Sequence, residues 1–588
     1  MKRKVLGILS TLLITAMLLT GCSNTSTGSG SGTEGTSSSD SSTSIEDNFS
    51  STGVINTSSE IVVDTEFSAR DLEVGYDEST ATTITLNGNS IKVTGQGATA
   101  DGSILTISEE GTYIISGTLK DGQIIIAANA DEAKVQLVLN GVNIQCMDNA
   151  PIYVKKADKV FITLAENSKN TLTDGTEYVQ TDDNTVDGVI FSTADLTLNG
   201  NGSLDITANY KHGIVSKDDL VITSGTYNIT AAKDTLNGKD SVKIKDGTLT
   251  LSAAKGNGLQ SKNSDDSTKG YVYIEGGTIT VTDSQEGIEG TAIIIAGGTI
   301  NITSQDDGLN AAAGSTSTTG ATSQPDSTIL QPGTAAPEPD TATQDLADTL
   351  AADSIDITAN NLTTITITAP SDSSTDATAS ATMPDENAMR GEPGKEGGMN
   401  GKMGGGEMEN NNNCYILITG GTVTINAEGD GIDSNGSIDI SGGNIYVSGP
   451  TNGGNGAMDY NGTANITGGT AVLAGSVGMA QGFSDTSTQY SVLYNLSSTS
   501  TAGTEISLKD ADGNIVISYT PQKQYQSIVI SSPDLQKGAT YTITSGEQTT
   551  EITLSSVSTT AGEGNTGFPG GMGGGMGGRR NGGGTMPN

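Results

Sequence analysis

Acidic and amide side chains recur at matching places in the middle part of the chain, and their chemistry is that of a cation site. They are Glu286, Glu289, Asp306, Asp307, Asn310, Asp430 and Asp433. If the chain stacks them about 4.8 Å apart, neighbouring carboxylates repel by roughly 0.9 kcal/mol in water and by about 3 to 4 kcal/mol at an effective dielectric of 20. Calcium offsets this repulsion better than magnesium does, because calcium accepts six to eight flexible oxygen ligands. The alternative is that Asp and Asn simply suit tight turns, which accounts for the turn positions but not for Glu286, Glu289 or Asp433.

Lysines form a second pattern, which is unusual in a chain with a net charge of −40. Lys217, Lys239 and Lys262 fall at one position of three successive segments, and Lys211 and His212 precede the first of them. A row of ammonium groups at this spacing is suited to the carboxylates of a uronic-acid chain. The alternative is a solvated row of lysines paired with neighbouring carboxylates, namely Asp218, Asp219 and Asp240. The sequence does not decide between the two.

An internal repeat must position both patterns. Its units begin at Asp187, His212, Asp234, Asn257, Glu286, Asp307, Asp430 and Asn455. By subtraction, successive starts are 21 to 29 residues apart, except for a step of 123 between Asp307 and Asp430. Each unit contains three short strands, as in Ile214–Lys217, Leu220–Thr223 and Thr226–Thr230. Units this short cannot bury their own apolar side chains and must stack on one another. The repeat therefore predicts an all-β, right-handed parallel β-helix, the hand following from the crossover rule.

Period-two alternation predicts which side chains share the outer face of the first strand. With each unit start as position zero, position three points outward. It is occupied by Val215, Asn237, Gln260, Glu289, Asn310 and Asp433. Two insertions fall at the same corner of the unit, at about 263–270 and 314–413. The longer one is rich in Ser, Thr, Pro, Gly and Met, a composition typical of disorder. We therefore expect Asp307 and Asp430 to be neighbours in space.

The remaining segments predict how the chain is organised around the β-helix. Residues 1–22 combine Lys2-Arg3-Lys4, an apolar run and Leu19-Thr20-Gly21-Cys22, the plan of a lipoprotein signal peptide whose Cys22 becomes acylated. Residues 23–55 are a Ser/Gly/Thr-rich tether, 56–483 the parallel β-helix, 484–556 a small C-terminal β module and 557–588 a Gly/Met-rich disordered tail. We expect a monomer at the outer face of the cell membrane, held there only by its N-terminal lipid.

The composition excludes several classes of function. Asp and Glu number 68 against 28 Lys and Arg in 588 residues, so nucleic acid is not an expected partner. Trp is absent and aromatic residues make up 4% of the chain, which argues against sugar binding by Trp stacking. Cys146 and Cys414 fit either two buried thiols or one disulfide.

Four segments carry a resemblance to a known family. Residues 67–72, 150–155, 211–220 and 269–279 resemble the carbohydrate-binding-domain lipoproteins of clostridia and their relatives, and the likeness extends over roughly residues 60–555. The resemblance implies a parallel β-helix that contains calcium and binds cellulose or an acidic plant polysaccharide such as polygalacturonate. It does not identify individual metal ligands.

Four functions are compatible with these features. The first is polysaccharide binding at the cell surface without catalysis, and no residue is assigned a catalytic role. The second is a calcium-dependent, pectate-type polysaccharide lyase with Lys217 or Lys239 as base. A hydrolase would need two carboxylates flanking one bond, and a structural adhesin would need no site at all.

Overall fold

The computed structural model describes residues 54–56, 62–313 and 413–562. These residues form strands and connecting turns, with no helix among them. The predicted signal peptide, most of the tether, the tail and the long insertion, including an alternating segment at 354–368, lie outside the described residues. No helix in the described part of the chain meets the length and apolarity that a membrane span requires.

Three long ladders of strands make up most of the described chain. Apart from the antiparallel pair Ala98–Asp101 and Ile104–Ile107, their strands are parallel and come from successive coils. This confirms the predicted all-β class and agrees with a β-helix-like arrangement, whereas its handedness stays a prediction. The unit at His212 shows the plan, with strands at His212–Ser216, Asp219–Ile222 and Thr226–Ala231. Each lies within two residues of the predicted strand.

The first ladder contains the strands that follow the unit starts. In order they are Ala98–Asp101, Ile104–Ile107, Gln123–Ala127, Ile152–Lys156, Gly188–Ser192, His212–Ser216, Leu236–Gly238, Leu259–Ser261, Ile288–Gly290, Leu309–Ala311, Ile432–Ser434 and Asp459–Tyr460. Leu309 pairs with Ile432 across the long insertion, so the coils of Asp307 and Asp430 are neighbours, as predicted.

The second and third ladders complete each coil. Both begin at Gly111–Leu119 and Lys134–Cys146, which are long enough to serve two faces. The second ladder continues through Lys159–Leu164, Asp195–Gly200, Asp219–Ile222, Ser241–Ile244, Tyr271–Ile274, Ala292–Ile295, Tyr415–Ile418, Ser437–Ile440 and Ala464–Ile466. The third continues through Lys169–Asp174, Ser203–Ala208, Thr226–Ala231, Thr248–Ala253, Thr278–Asp283, Thr299–Ser304, Thr422–Ala427, Asn444–Ser448 and Thr470–Gly475.

Further strands lie at the two ends. At the N-terminal side, Val54–Asn56 pairs with Val62–Asp64, and Thr82–Gly88 lies between Ile91–Thr94 and Gly111–Leu119. At the C-terminal side, the third ladder continues antiparallel through Tyr525–Ser531 and Ser491–Ser500, and Ser558–Gly562 then pairs parallel with Ser491–Ser500. A separate four-stranded antiparallel sheet contains Ile515–Tyr519, Ile506–Lys509, Thr540–Ser545 and Gln548–Thr553.

Columns of aliphatic side chains fill the interior. In the first ladder, Ile214, Leu236, Leu259, Ile288 and Leu309 are fully buried one above the other. Branched aliphatic residues suit such pleated, buried surfaces. Cys146 and Cys414 are both buried and free, so the structure supports the two-thiol alternative.

Glycine follows the unit start because successive coils approach each other closely there. A Cβ added to any of these glycines would meet a carbonyl oxygen of the next coil at 2.4 to 2.6 Å. The glycines are Gly213, Gly258, Gly287, Gly308 and Gly431. The Asp-Gly pattern of the repeat therefore reflects backbone packing between coils as well as turn geometry.

Candidate functional site

Side chains at the unit starts form a hydrogen-bonded row along the turns in two stretches, from His212 to Glu286 and from Asp307 to Asp430. In each pair, the backbone N–H of one start donates to the side chain of the preceding start. The pairs are Asp234 to His212 Nδ1 (3.2 Å), Asn257 to Asp234 Oδ1 (3.0 Å), Glu286 to Asn257 Oδ1 (3.2 Å) and Asp430 to Asp307 Oδ1 (2.7 Å). The alternative explanation, that Asp and Asn at these positions simply suit tight turns, thus accounts for one carboxylate oxygen in each of Asp234 and Asp307.

The side chain of Glu286 differs from the others in this row. Its Oε2 is buried and has no hydrogen-bond partner among the described residues, and the same holds for Oδ1 of Asn310 on the next coil. A buried oxygen without a partner costs about 1 to 3 kcal/mol. No described residue satisfies these two acceptors, and a bound cation or another partner would remove this cost.

The outer face of the first ladder brings the acidic residues into register. Glu289 pairs with Asn310, Asn310 with Asp433, and Asp433 with Asp459. The predicted third positions are confirmed by this pairing from Val215 onward. Carboxylate oxygens of Asp430, Asp433 and Asp459 all lie within 4.8 Å of one another.

Asp459 was missed by the sequence analysis because the last unit start is wrong by one residue. Gly456, rather than Asn455, takes the place of a start, since its N–H donates to Asp430 Oδ1 and its carbonyl accepts from Gly431. A signal was present in the sequence. Residues 433–436 read Asp-Ser-Asn-Gly and residues 459–462 read Asp-Tyr-Asn-Gly, so aligning these two turns would have placed Asp459 correctly.

Burial and like charge together raise the pKa values of this group. Burial is the larger cause, and neighbouring carboxylates add to it, raising the pKa of Glu286 to about 8 and that of Asp433 to about 8. The pKa of Asp430 rises to about 7 and that of Asp307 to about 6 for the same reasons. Asp306 contributes to the repulsion felt by both Asp307 and Asp430. A bound cation would relieve this repulsion.

Glu289 is placed differently from the other predicted ligands. Its Oε2 accepts hydrogen bonds from Asn257 Nδ2 at 2.6 Å and from Gln260 Nε2 at 2.5 Å, and its Oε1 pairs with the ammonium of Lys262. Its charge is thus largely compensated by the protein. Glu289 marks the border where the acidic and basic patterns meet.

Each predicted lysine lies near a carboxylate, but the partners differ from those predicted. Lys239 pairs with Asp265 at 2.6 Å, and Lys217 lies 3.9 Å from Asp187 and 5.2 Å from the ring centre of Phe191. Lys211 lies 4.0 Å from Asp187. The predicted pairing with Asp218, Asp219 and Asp240 is wrong, since Asp219 accepts from Ser241 and Asp240 pairs with Lys269.

His212 lies between two carboxylates at the turn. Its Nε2 is 3.8 Å from Asp187, and its Nδ1 is 3.1 Å from Asp234 Oδ2. Because Nδ1 also accepts the backbone N–H of Asp234, the ring is fixed by the coil contact. Its position makes it part of the turn row rather than an exposed binding group.

A second acidic group, which the sequence analysis did not propose as a cation site, lies where two strands of the second ladder begin, Asp195–Gly200 and Asp219–Ile222. Oxygens of Asp195, Asp218 and Asp219 are within 4.8 Å of one another. Burial, then the charges of Asp195 and Asp240, raise the pKa of Asp218 to about 6. Unlike the first group, it lies beside Lys159, whose ammonium is 3.9 Å from Asp195.

Comparisons with known proteins find similarity to a family that is described by carbohydrate binding. Residues 101–383 match the model of a family described as carbohydrate-binding domain-containing protein. A protein of that description from Acetivibrio thermocellus is 42% identical over 127 residues, which is 21% of this chain and 44% of the relative. The chain thus spans less than half the length of that relative.

A solved structure is also similar in sequence. It is described as a polysaccharide lyase-like protein from C. thermocellum, in a gadolinium derivative, and is 34% identical over 39% of this chain and 90% of its own, with a TM-score of 0.35. The family match includes the coils that carry the lysines, Glu286 and Asn310. Residues 101–383, slightly less than half of the chain, are therefore similar to the family described as carbohydrate-binding domain-containing protein.

Proposed function

We propose that this protein is a lipid-anchored cell-surface protein that binds acidic polysaccharide through a calcium-containing β-helix, without catalysis. The observation that carries the proposal is the partly buried carboxylate group at Asp430, Asp433 and Asp459, together with the unpartnered oxygens of Glu286 and Asn310. The family match supports carbohydrate as the ligand class.

The donor set fits calcium. All of its groups are carboxylate or amide oxygens, namely those of Glu286, Asp307, Asn310, Asp430, Asp433 and Asp459. Calcium prefers such oxygens and tolerates irregular geometry, whereas zinc and copper favour imidazole or thiolate. When bound, the ion supplies positive charge that compensates the carboxylates and attracts the acid groups of a ligand.

The lysine row extends the proposed binding surface toward the N-terminal coils. Lys217 and Lys239 are partly exposed, and the partner of Lys239, Asp265, is itself 73% exposed. Exposed ion pairs contribute little to stability, so a uronate carboxylate can replace Asp265 at small cost. Lys262 pairs with Glu289, so the two charges compensate each other, and we propose that Lys262 does not contact the ligand directly.

Surface attachment rests on residues 1–22. A Cys22→Ser variant should lose incorporation of labelled fatty acid and appear in the medium rather than in the membrane fraction. Unchanged fractionation of this variant would refute the proposed anchor.

The central experiment measures metal and ligand together. Elemental analysis of the purified protein should find calcium, and titration calorimetry with polygalacturonate should show binding that a chelator removes. Asp433→Asn and Asp459→Asn should weaken binding at least tenfold, equivalent to about 1.4 kcal/mol. Asp512→Asn, in an exposed turn of the C-terminal sheet, is the matched control and should change nothing. Absence of heat with and without calcium would refute the proposal.

A polysaccharide lyase is the second candidate, because the similar solved structure is described as lyase-like. A lyase needs a base placed to remove a proton from the sugar. Lys217 and Lys239, the residues nearest to that role, are partly exposed beside Asp187 and Asp265 and thus lack the burial by which proteins adapt a lysine to act as a base. Incubation with polygalacturonate and calcium should yield no unsaturated product by ultraviolet absorbance. A rise in absorbance that Lys217→Ala or Lys239→Ala abolishes would favour the lyase.

A further inference from the structure

A polar cleft of about 250 Å³ lies on the outer face of the third ladder, away from the acidic and basic groups of the first. Its floor consists of three neighbouring strands, Thr278–Asp283, Thr299–Ser304 and Thr422–Ala427. Gln522, from the C-terminal part of the chain, closes one side. The cleft is therefore formed jointly by the coils and the C-terminal strands.

The lining is uncharged. Hydroxyl and amide groups come from Thr280, Thr282, Asn301, Thr303, Thr424, Asn426 and Gln522, with Val281 and Ile302 beneath. Such groups both donate and accept hydrogen bonds, whereas the absence of charge among the lining residues gives no preference for an anion. A partner rich in hydroxyl groups matches this lining.

Asn426 supplies an unsatisfied acceptor. Its Nδ2 donates to Gln522 Oε1 at 3.4 Å, while its Oδ1 is buried without a hydrogen-bond partner among the described residues. Gln522 is held in place because its backbone N–H donates to Ser448 Oγ at 2.9 Å. Lys523, next in sequence, is engaged with Glu428 at 3.0 Å, which leaves its charge outside the lining.

We propose that this cleft binds one ring of a neutral sugar chain, as a subsite separate from the acidic-polysaccharide surface. The inference deepens the proposed carbohydrate-binding function and rests on it. At about 250 Å³ the cleft is smaller than the roughly 300–1,000 Å³ sites that enclose drug-sized ligands, so it accommodates a single ring. Exposed Thr and Asn side chains, such as Thr248, Thr250 and Asn228, continue the same face of the protein. In this proposal they contact the remaining rings of the sugar chain.

Calorimetry of the full chain with cellohexaose, xylohexaose and polygalacturonate, each with and without a chelator, tests this subsite. At least one neutral oligosaccharide should bind whether or not calcium is present. Thr424→Val and Asn426→Leu, which remove hydrogen-bonding groups with little change of volume, should weaken that binding at least tenfold. Gln522→Ala, at an exposed side chain, should do the same without disturbing the fold. Thr250→Val, on the same face outside the cleft, should alter affinity less than twofold.

Polygalacturonate separates this inference from the proposed function. The cleft variants should leave calcium-dependent polygalacturonate binding unchanged. If neither neutral oligosaccharide binds at millimolar concentration, or if the cleft variants bind it as well as the wild type does, the subsite is refuted while the acidic-polysaccharide proposal stands. If neutral binding is lost in the variants but polygalacturonate never binds, the subsite stands and the acidic-ligand proposal fails.

Discussion

At the scale of single residues, protonation of the carboxylates in the proposed cation site makes the stability of the folded protein depend on pH. The raised pKa values of Glu286, Asp307, Asp430 and Asp433 mean that the folded protein holds protons that the unfolded chain has already released. For an acid whose pKa is raised on folding, stability falls as pH rises from the unfolded pKa of about 4 to the folded value. The metal-free protein should therefore lose stability between about pH 4 and pH 8.

We expect the metal-free protein to melt at a higher temperature at pH 5 than at pH 8, and calcium to restore stability at pH 8. The slope should not exceed about 1.4 kcal/mol per pH unit for each proton involved, and solvent near these partly exposed groups reduces it. Asp433→Asn removes one of the interacting charges and should flatten the slope. Thermal melts in chelator at several pH values measure it. An identical slope in the variant and the wild type would contradict the coupling.

At the scale of elements, the repeat makes much of the fold predictable. Period-two alternation and unit spacing gave the strand plan and the outward row from Val215 to Asp433, because each coil imposes its register on the next. Contacts that depend on side-chain reach were not predictable in this way. Lys262 turns to Glu289 and Lys239 to Asp265, pairings that local spacing does not encode. Asp459 escaped because one unit start was misplaced by a single residue.

Gly287 offers a test of how coils stack. A methyl group there would lie 2.4 Å from the Gly308 carbonyl oxygen and 2.3 Å from the Ile302 side chain, so the coils would have to separate. We expect Gly287→Ala to lower the free energy of unfolding by about 1 to 3 kcal/mol, measured by urea denaturation. Gly75→Ala, where nothing lies within 4 Å, is the control and should change it by less than about 0.5 kcal/mol. Equal stability of the two variants would show that coil contact does not require glycine.

At the scale of the whole molecule, an N-terminal segment links distant coils. Residues 62–76, here called the strap, run across the second ladder. Phe67 packs against Tyr273, with ring centres 6.1 Å apart, and Gln136 Nε2 donates to the Gly75 carbonyl at 3.4 Å. Stability in stacked repeats normally comes from nearest neighbours. The strap adds contacts that span several coils at once, and it enters the fold directly after the predicted tether.

Asp71 is the most deeply engaged polar residue of the strap. It accepts from Ser68 and Thr197 at 2.6 Å each and pairs with Lys159 at 2.9 Å. Burial alone would raise its pKa, but these hydrogen bonds and the lysine charge outweigh burial and lower it. For an acid whose pKa is lowered on folding, the stabilisation is present above the unfolded value of about 4 and is lost as pH falls through the folded value.

Removing Asp71 should release the strap, because Lys159, whose side chain is only 16% exposed, would keep only the more distant carboxylate of Asp195 at 3.9 Å. We expect Asp71→Ala to lower the free energy of unfolding by about 3 to 5 kcal/mol at pH 7 and to speed hydrogen exchange in residues 62–76. The double variant Asp71→Ala with Lys159→Met removes both charges and should recover part of this loss, since the desolvated ammonium is gone. If the free energy of unfolding lost in the double variant equals the sum of the losses in the Asp71→Ala and Lys159→Met single variants, then Asp71 and Lys159 are not coupled. The strap would in that case be held by its apolar contacts, Phe67 and Val63, rather than by this ion pair.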